Sequence, residues 1–406
     1  MIGLKYKTKS INYIAGIVNA ALFLYCFISE FINPLYLELL AVALAFVVFN
    51  MKKSLSFDLP LLFLAQALIL SIYYGFYFIG NYLTVDVNKS LLPIAAYSIG
   101  IIIADGFGEK GVIATYFTLM FGLSLYGLLS FWKIIGSDGV GTYYGLINDN
   151  PDYMGVDKLE ILFVCLFASF AWQVFHIREK RVVTIPLVVL TIVCQLICIY
   201  IRGTLSVYGF LMMVFLVLCI MIYRFIRSLK LSKIVSLVTY CISVLLILVF
   251  VATVYKFDLF KSKSIYYASY LGQDGGLFHS SKYLNLVEAI RKIYDIPRKG
   301  IFIESNGINT SYSVLLDYAR DYGIYVFGFL LVFSLLTVAC FFKMLFNNNI
   351  SRDLKLLLAP AFLFFNMFYT FNSSAKYSIY MWCYGLIVIG MVCGISKRNL
   401  AVKDIV

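Results

Sequence analysis

Charge is scarce in this sequence. Asp, Glu, Lys and Arg make up only 13% of 406 residues, and two histidines occur, His176 and His279. A soluble domain carries roughly a quarter charged residues, so a solvated globular fold is excluded. Chemical signatures are missing too: there is no Walker loop, no His-Glu-x-x-His pair, no Gly-x-Ser-x-Gly elbow and no nucleotide-binding fingerprint. ATP-driven chemistry and a protein-held catalytic metal are therefore unsupported, and no cofactor is expected. No Cys-x-x-Cys spacing occurs among the nine cysteines, and all of them lie in or at the end of apolar segments. That excludes a disulfide framework or thiolate metal site and leaves small core hydrophobes. The chain also lacks a 20-to-50-residue repeat, a low-complexity tract and likeness between its halves, which argues against transporter folds built from internal repeats.

What is abundant is apolar and aromatic sequence: 62% of residues are hydrophobic, with 36 Phe and 32 Tyr. Twelve apolar runs are expected to be helices, at 11–30, 34–50, 59–80, 89–104, 111–132, 159–176, 182–201, 204–223, 234–255, 322–346, 355–371 and 377–395. Each is long enough, or nearly so, to cross about 30 Å of hydrocarbon at ~1.5 Å per residue. Three of them, 34–50, 89–104 and 355–371, are short and read either as spans or as re-entrant or strongly buried segments. The expected fold is all-α: a polytopic integral membrane protein of about twelve transmembrane helices. The first apolar run follows a basic start but lacks a small-residue cleavage site at "FISEFINP", so it reads as a retained helix.

Lysine and arginine crowd alternate connections, including Lys5, Lys7, Lys9, Lys52, Lys53, Lys110, Arg178, Lys180, Arg181, Arg224, Arg227, Lys230, Lys343, Arg352, Lys355 and Lys397. The opposite short connections hold only Lys89, Lys133, Lys158, Arg202 and Lys376. The positive-inside rule then places both termini in the cytoplasm of a multi-pass protein. The net charge of +12 reads as topology and contact with anionic lipid, without a nucleic-acid partner.

Two outer segments break the rhythm of short connections: 133–158, rich in Gly and Asp, and 256–321, polar and aromatic. The expected organisation is helices one to nine over 1–255, the large outer loop over 256–321, and helices ten to twelve over 322–406. Long loops with their own composition usually carry function. Within the second, "SKYLNLVEAIRKIY" repeats apolar residues at helical spacing and reads as a helix resting on the membrane surface or on the bundle.

Arg202, in "CIYIRGTLSVYGF", sits between two apolar runs where a charge is costly. It either snorkels to lipid phosphate or faces a cavity, and its planar fork of donors suits phosphate or pyrophosphate. The large loop carries nine bases, among them Lys282, Arg291 and Arg298, against six acids, among them Glu304 and Asp317, with Asp321 at its edge. This surface suits an anionic substrate, although a solvated mixed face has the same composition. His176 reads as structural. His279 is on the side where a base would be needed, as are Glu304 and Asp317.

Three pieces, in order, resemble the superfamily of O-antigen ligases and Wzy-type polysaccharide polymerases. "YYGLINDNPDYMG" resembles its Gly-x-x-x-Asn-Pro-Asn element, with Asn150, Pro151 and Asp152 at matching positions. "YIRGTLSVYGF" resembles its Ser-Arg-small-x-Leu element, placing Arg202 at the family arginine. The stretch from Ser280 to Phe329 is similar to the family's late outer loop: Ser-Gly-Arg, amphipathic helix, Pro-x-x-Gly-x-Gly turn, Asn-x-Tyr segment and a glycine-rich lead into the next span. The resemblance covers roughly residues 140 to 335. Departures are Lys282 for the second arginine, Phe302 for the turn's second glycine, and Ile308 beside Asn309 where the ligase branch has a His-Asn pair. Loss of that histidine points to the polymerase branch.

The resemblance implies a GT-C-like fold and transfer of a sugar chain from undecaprenyl diphosphate at the outer face of a bacterial cytoplasmic membrane. It further implies Arg202 and Lys282 as clamps on the diphosphate, Glu304 as base, and Asn150, Asp152, Arg291, Arg298, Asn309 and Tyr312 as substrate contacts. The partners implied are the lipid-linked oligosaccharide, membrane lipid, a chain-length regulator and a flippase. The expected activity is an inverting polymerase; the rivals are a flippase for the same lipid-linked sugar and an O-antigen ligase.

Overall fold

A computed structural model describes residues 2–28, 35–52, 58–79, 87–136, 169–170, 172–173, 176, 181–202, 313–371 and 379–397, with isolated positions between 232 and 249. Among the described residues the chain is helical throughout and no strand occurs. The helices are α1 (Ile2–Ile28), α2 (Leu35–Lys52), α3 (Leu59–Ile79), α4 (Val87–Gly136), α5 (Arg181–Arg202), α6 (Val314–Tyr322), α7 (Ile324–Phe346), α8 (Arg352–Phe371) and α9 (Ile379–Lys397). The all-α expectation holds. Among the described residues two stretches are long and apolar enough to cross a membrane, Leu91–Tyr126 and Ile324–Phe346. The expected runs at 204–223 and most of 159–176 and 234–255 lie outside the described residues.

The chain divides into two compact units, Met1–Leu162 with Asp274–Val406, and Phe163–Gln273. In the first, α4 runs for 50 residues, which as one straight helix would be about 75 Å long. It is not straight. Gly108 adopts φ 68°, ψ −160°, open to glycine and strained for any side chain, and divides α4 at the expected connection between 104 and 111. Neighbour contacts reveal the direction of each half. Gly100 and Ala104 of the first half meet Ile387, Gly390 and Gly394 of α9 in rising order, so these two helices run parallel. In the second half Thr115 donates to Asn19 Oδ1 (2.8 Å) and Gly122 abuts Phe23 and Cys26, so this half runs parallel to α1. The C-terminal end of α1 meets the N-terminal end of α9 through Tyr25 and Tyr384, ring centroids 6.0 Å apart. The halves of α4 are therefore antiparallel, a helical hairpin hinged at Gly108.

The spacing Gly106, Gly108, Gly111 is that of a dinucleotide loop, yet it joins two helices and follows no strand, so it lacks the context that motif needs. The first half of α4, one of the three short runs, is strongly buried: Leu92, Ala95, Ala96, Tyr97, Ile99 and Ile101 to Ala104 form the core with α9. That packing depends on small residues. A Cβ on Gly100 would strike the Ile387 carbonyl, and one on Gly390 would strike that of Tyr97. Gly100-x-x-x-Ala104 facing Gly390-x-x-x-Gly394 thus brings two backbones together as small-x-x-x-small pairs do.

One difference from expectation concerns the outer loop, taken to run to residue 321. Its last eight residues, together with Tyr322, form α6, with Ser313 at the N-cap and Gly323 (φ 92°) dividing it from α7. Val314, Leu316, Tyr318 and Ala319 are buried against α3, α7 and α8, and this burial stabilises a helix too short to persist alone. A second difference concerns the thiols. Cys26, Cys194, Cys383 and Cys393 are buried as expected, whereas Cys340 is half-buried and Cys241 is exposed.

Candidate functional site

Arg202 is the last residue of α5, a helix that begins at Arg181 and is apolar between the two. The arginine therefore closes a run of 22 helical residues, about 33 Å of rise. In the same unit, α5 is held to the segment around residues 169–176 by buried polar contacts. Gln173 donates to Ser169 Oγ at 2.9 Å and lies 2.9 Å from the Thr191 hydroxyl through its Oε1. His176 stacks on Trp172 (centroids 4.3 Å) and is buried, and Thr184 donates to its carbonyl at 3.5 Å. The contacts of Thr191 with Gln173 and of Thr184 with His176 are the ones that join α5 to this segment in an apolar setting, and His176 has the structural surroundings expected of it.

Of the residues that the resemblance assigns to the site, Arg202 is the one whose backbone falls within a described helix. Lys282, Glu304, Asn150, Asp152, Arg291, Arg298, Asn309 and Tyr312 lie outside the described residues, as do His279 and the stretch 281–294. Asp317, offered by the sequence as a base, stands in the first turn of α6 and is fully buried. Its neighbour Tyr318 packs on Trp382 (5.4 Å) and Tyr322 (5.5 Å), and the Tyr369 hydroxyl donates to the Trp382 carbonyl at 3.0 Å. Burial pushes the Tyr318 phenol well above its ordinary value, so it stays neutral. Asp317 is thus enclosed among packed helices and does not stand on the open outer surface where a base was expected.

The first unit contains polar chemistry that sequence reading missed. Asp58 caps α3: its Oδ2 accepts from the Leu61 N–H at 3.0 Å, and its Oδ1 is ion-paired with Lys397 in the last turn of α9. The carboxylate is buried and the Lys397 side chain is a quarter exposed. Tyr97 and Cys393 stand beside this pair. The capping half was legible, since Asp before Leu-Pro is a helix-start signal. The pairing was not, because 339 residues separate its partners.

Neither a family model nor a curated protein nor a solved structure matches this chain.

A cavity of about 460 Å³ opens among α2, α3 and the first half of α4. Ala41, Ala45, Ile94, Ala95, Ile101 and Ile102 make up much of its apolar wall. Glu38 marks one end, beside Leu91, and Asp58 and Asp105 mark the other. Glu109 Oε1, close to Gly108, accepts from the Ser351 N–H at 3.1 Å, and Lys355 Nζ donates to the carbonyls of Leu345 (2.8 Å) and Asn347 (2.7 Å). The hinge of α4 and the α7–α8 connection are thereby joined at the same end as Asp58 and Lys397. Among the described residues no group of three His, Cys, Asp or Glu has the arrangement of a metal site.

Proposed function

We propose that this is a polytopic membrane glycosyltransferase that joins undecaprenyl-diphosphate-linked oligosaccharide units into a surface polysaccharide. The observation that carries the reading is Arg202, a guanidinium terminating an apolar helix of membrane-spanning length, inside the second of three ordered motifs. Membrane residence has independent support. In α7 only 28% of the most apolar window is buried, so the helix presents hydrocarbon outwards instead of to a core. On α2, Leu39, Val42, Phe46 and Phe49 recur as an exposed stripe.

Orientation follows from charge. Lys5, Lys7, Lys9, Lys52, Lys110, Lys343, Arg352, Lys355 and Lys397 fall at the Gly108 end of their helices, against Lys89, Lys133 and Arg320 at the other. Under the positive-inside rule the Gly108 end is cytoplasmic, and the end carrying Tyr384 and α6 faces out.

The reaction is a single displacement. Glu304 accepts the proton of an acceptor hydroxyl, the hydroxyl oxygen attacks the anomeric carbon, and the bond to the diphosphate oxygen breaks with inversion. Negative charge grows on the departing diphosphate, and a fixed guanidinium stabilises that charge more in the transition state than in the bound substrate. Lys282 adds a second positive charge without a bidentate fork. Asn150, Asp152, Arg291, Arg298, Asn309 and Tyr312 contact the substrate. A chain-length regulator and a flippase are the protein partners.

The test is purified protein in lipid discs with the lipid-linked repeat units and no nucleotide. The expected product is a ladder of polymers that is lost in Arg202→Ala, by about 10²–10³-fold in rate, while the variant retains its melting temperature. Movement of labelled lipid between the leaflets of sealed vesicles, with no ladder, would replace the polymerase by a transporter.

A further inference from the structure

We propose that the groove between α2, α3 and the first half of α4 holds one acyl chain of a phospholipid whose headgroup carries a primary ammonium, with Glu38 receiving that ammonium. The site assumes membrane residence and rests on residues that have no part in the transfer step.

Size and shape come first. About 460 Å³ lies within the roughly 300–1,000 Å³ typical of ligand sites. Along α4 the lining extends from Leu91 to Asp105, about 21 Å at ~1.5 Å per residue, with its long axis following the helices. That is longer than one leaflet's half of a hydrocarbon core about 30 Å thick. The walls are aliphatic, and Val42, itself two-thirds exposed, stands at the lateral opening. An extended hydrocarbon chain entering sideways fits this description better than a compact polar solute.

Charge then selects the headgroup. Among the described residues every ionisable one lining the groove is acidic: Glu38, Asp58 and Asp105. Asp58 is neutralised by Lys397, and the hydroxyl of Ser98, the remaining polar residue of the lining, already donates to the Ile94 carbonyl at 2.8 Å. Glu38 Oε1 is different. It is shielded from solvent and has no hydrogen-bond partner. A shielded carboxylate oxygen lacking a donor is costly, and an ammonium supplies both the donor and the opposing charge. Glu38 stands in the first turn of α2 and Leu91 near the start of the described α4, so both belong to the end of the groove away from Gly108.

Native mass spectrometry of the intact chain, released from vesicles of equal parts phosphatidylethanolamine, phosphatidylcholine and phosphatidylglycerol, tests this. Wild-type protein should retain phosphatidylethanolamine at least about tenfold over either other lipid; the quaternary ammonium of phosphatidylcholine has no N–H to donate. Glu38→Gln should reduce that preference to about twofold or less, and Ala45→Phe, which fills the groove from α2, should lower retention of the bound lipid. Equal retention of the three lipids by the wild type would overturn the proposal without requiring any variant to fold. So would an unchanged preference in Glu38→Gln. Neither result bears on the polymer ladder, whose success or failure is read separately.

Discussion

Removing the ammonium of Lys397 should damage this protein more than removing the charge of Asp58. The carboxylate is 1% exposed and the lysine side chain 25% exposed. Lys397→Met keeps most of the aliphatic stem and leaves Asp58 as a buried anion with the Leu61 N–H donating to it and Tyr97 beside it. Breaking a buried pair in this way typically costs about 3–5 kcal/mol. Water can follow the lysine stem inward, so the lower end, about 3 kcal/mol, is the expected loss. Asp58→Asn is gentler: asparagine is as good an N-cap as aspartate, and the orphaned ammonium can turn towards solvent, for about 1 kcal/mol. The double variant Asp58→Asn/Lys397→Met should lose little more than Asp58→Asn alone, giving a coupling near 3 kcal/mol. The assay is reversible unfolding in mixed micelles of rising denaturing-detergent fraction, followed by loss of helix signal for all four proteins. Equal small losses for the two single variants, adding without coupling, would refute the reasoning, because they would mean that the pair is solvated and α9 is anchored by packing alone.

Three further outcomes follow from the same contacts. Gly390→Ala should cost about 1–3 kcal/mol, because its methyl meets the Tyr97 carbonyl, whereas Gly328→Ala, with nothing within 4 Å, should be neutral or stabilising by up to about 1 kcal/mol. Thermal unfolding of the two alanine variants side by side distinguishes a close backbone approach from a general loss of glycine. Thr191→Val should cost about 1–2 kcal/mol by depriving Gln173 Oε1 of a donor, and Gln173→Leu/Thr191→Val should recover part of that loss in the same melt. Arg202→Lys, which keeps charge and loses the fork, should polymerise more slowly than wild type and faster than Arg202→Ala when ladder rates are compared.

The sequence by itself determined the helical class and most helix positions within the described residues. Apolar runs bounded by Lys-rich or Gly- and Asn-containing connections admit few alternatives, because backbone groups without access to water must bond within their own segment. The runs at 59–80, 182–201 and 377–395 correspond within a few residues to α3, α5 and α9. Asp58 was legible as a cap because capping is local, and Arg202 stood out because an isolated charge between apolar runs is rare at any fold. Tertiary structure decided what depended on distant partners. Only packing of Gly100 against Gly390 shows that the short run 89–104 is a core helix. Docking on α3, α7 and α8 makes residues 314–322 a helix and encloses Asp317. Likewise, three helices had to converge before Glu38, one acid in an apolar helix, became the end of a cavity. Apolar periodicity says that a face is covered without saying by what. Pairing of charges and enclosure of cavities are properties of helices far apart in sequence, and they arise only when those helices meet.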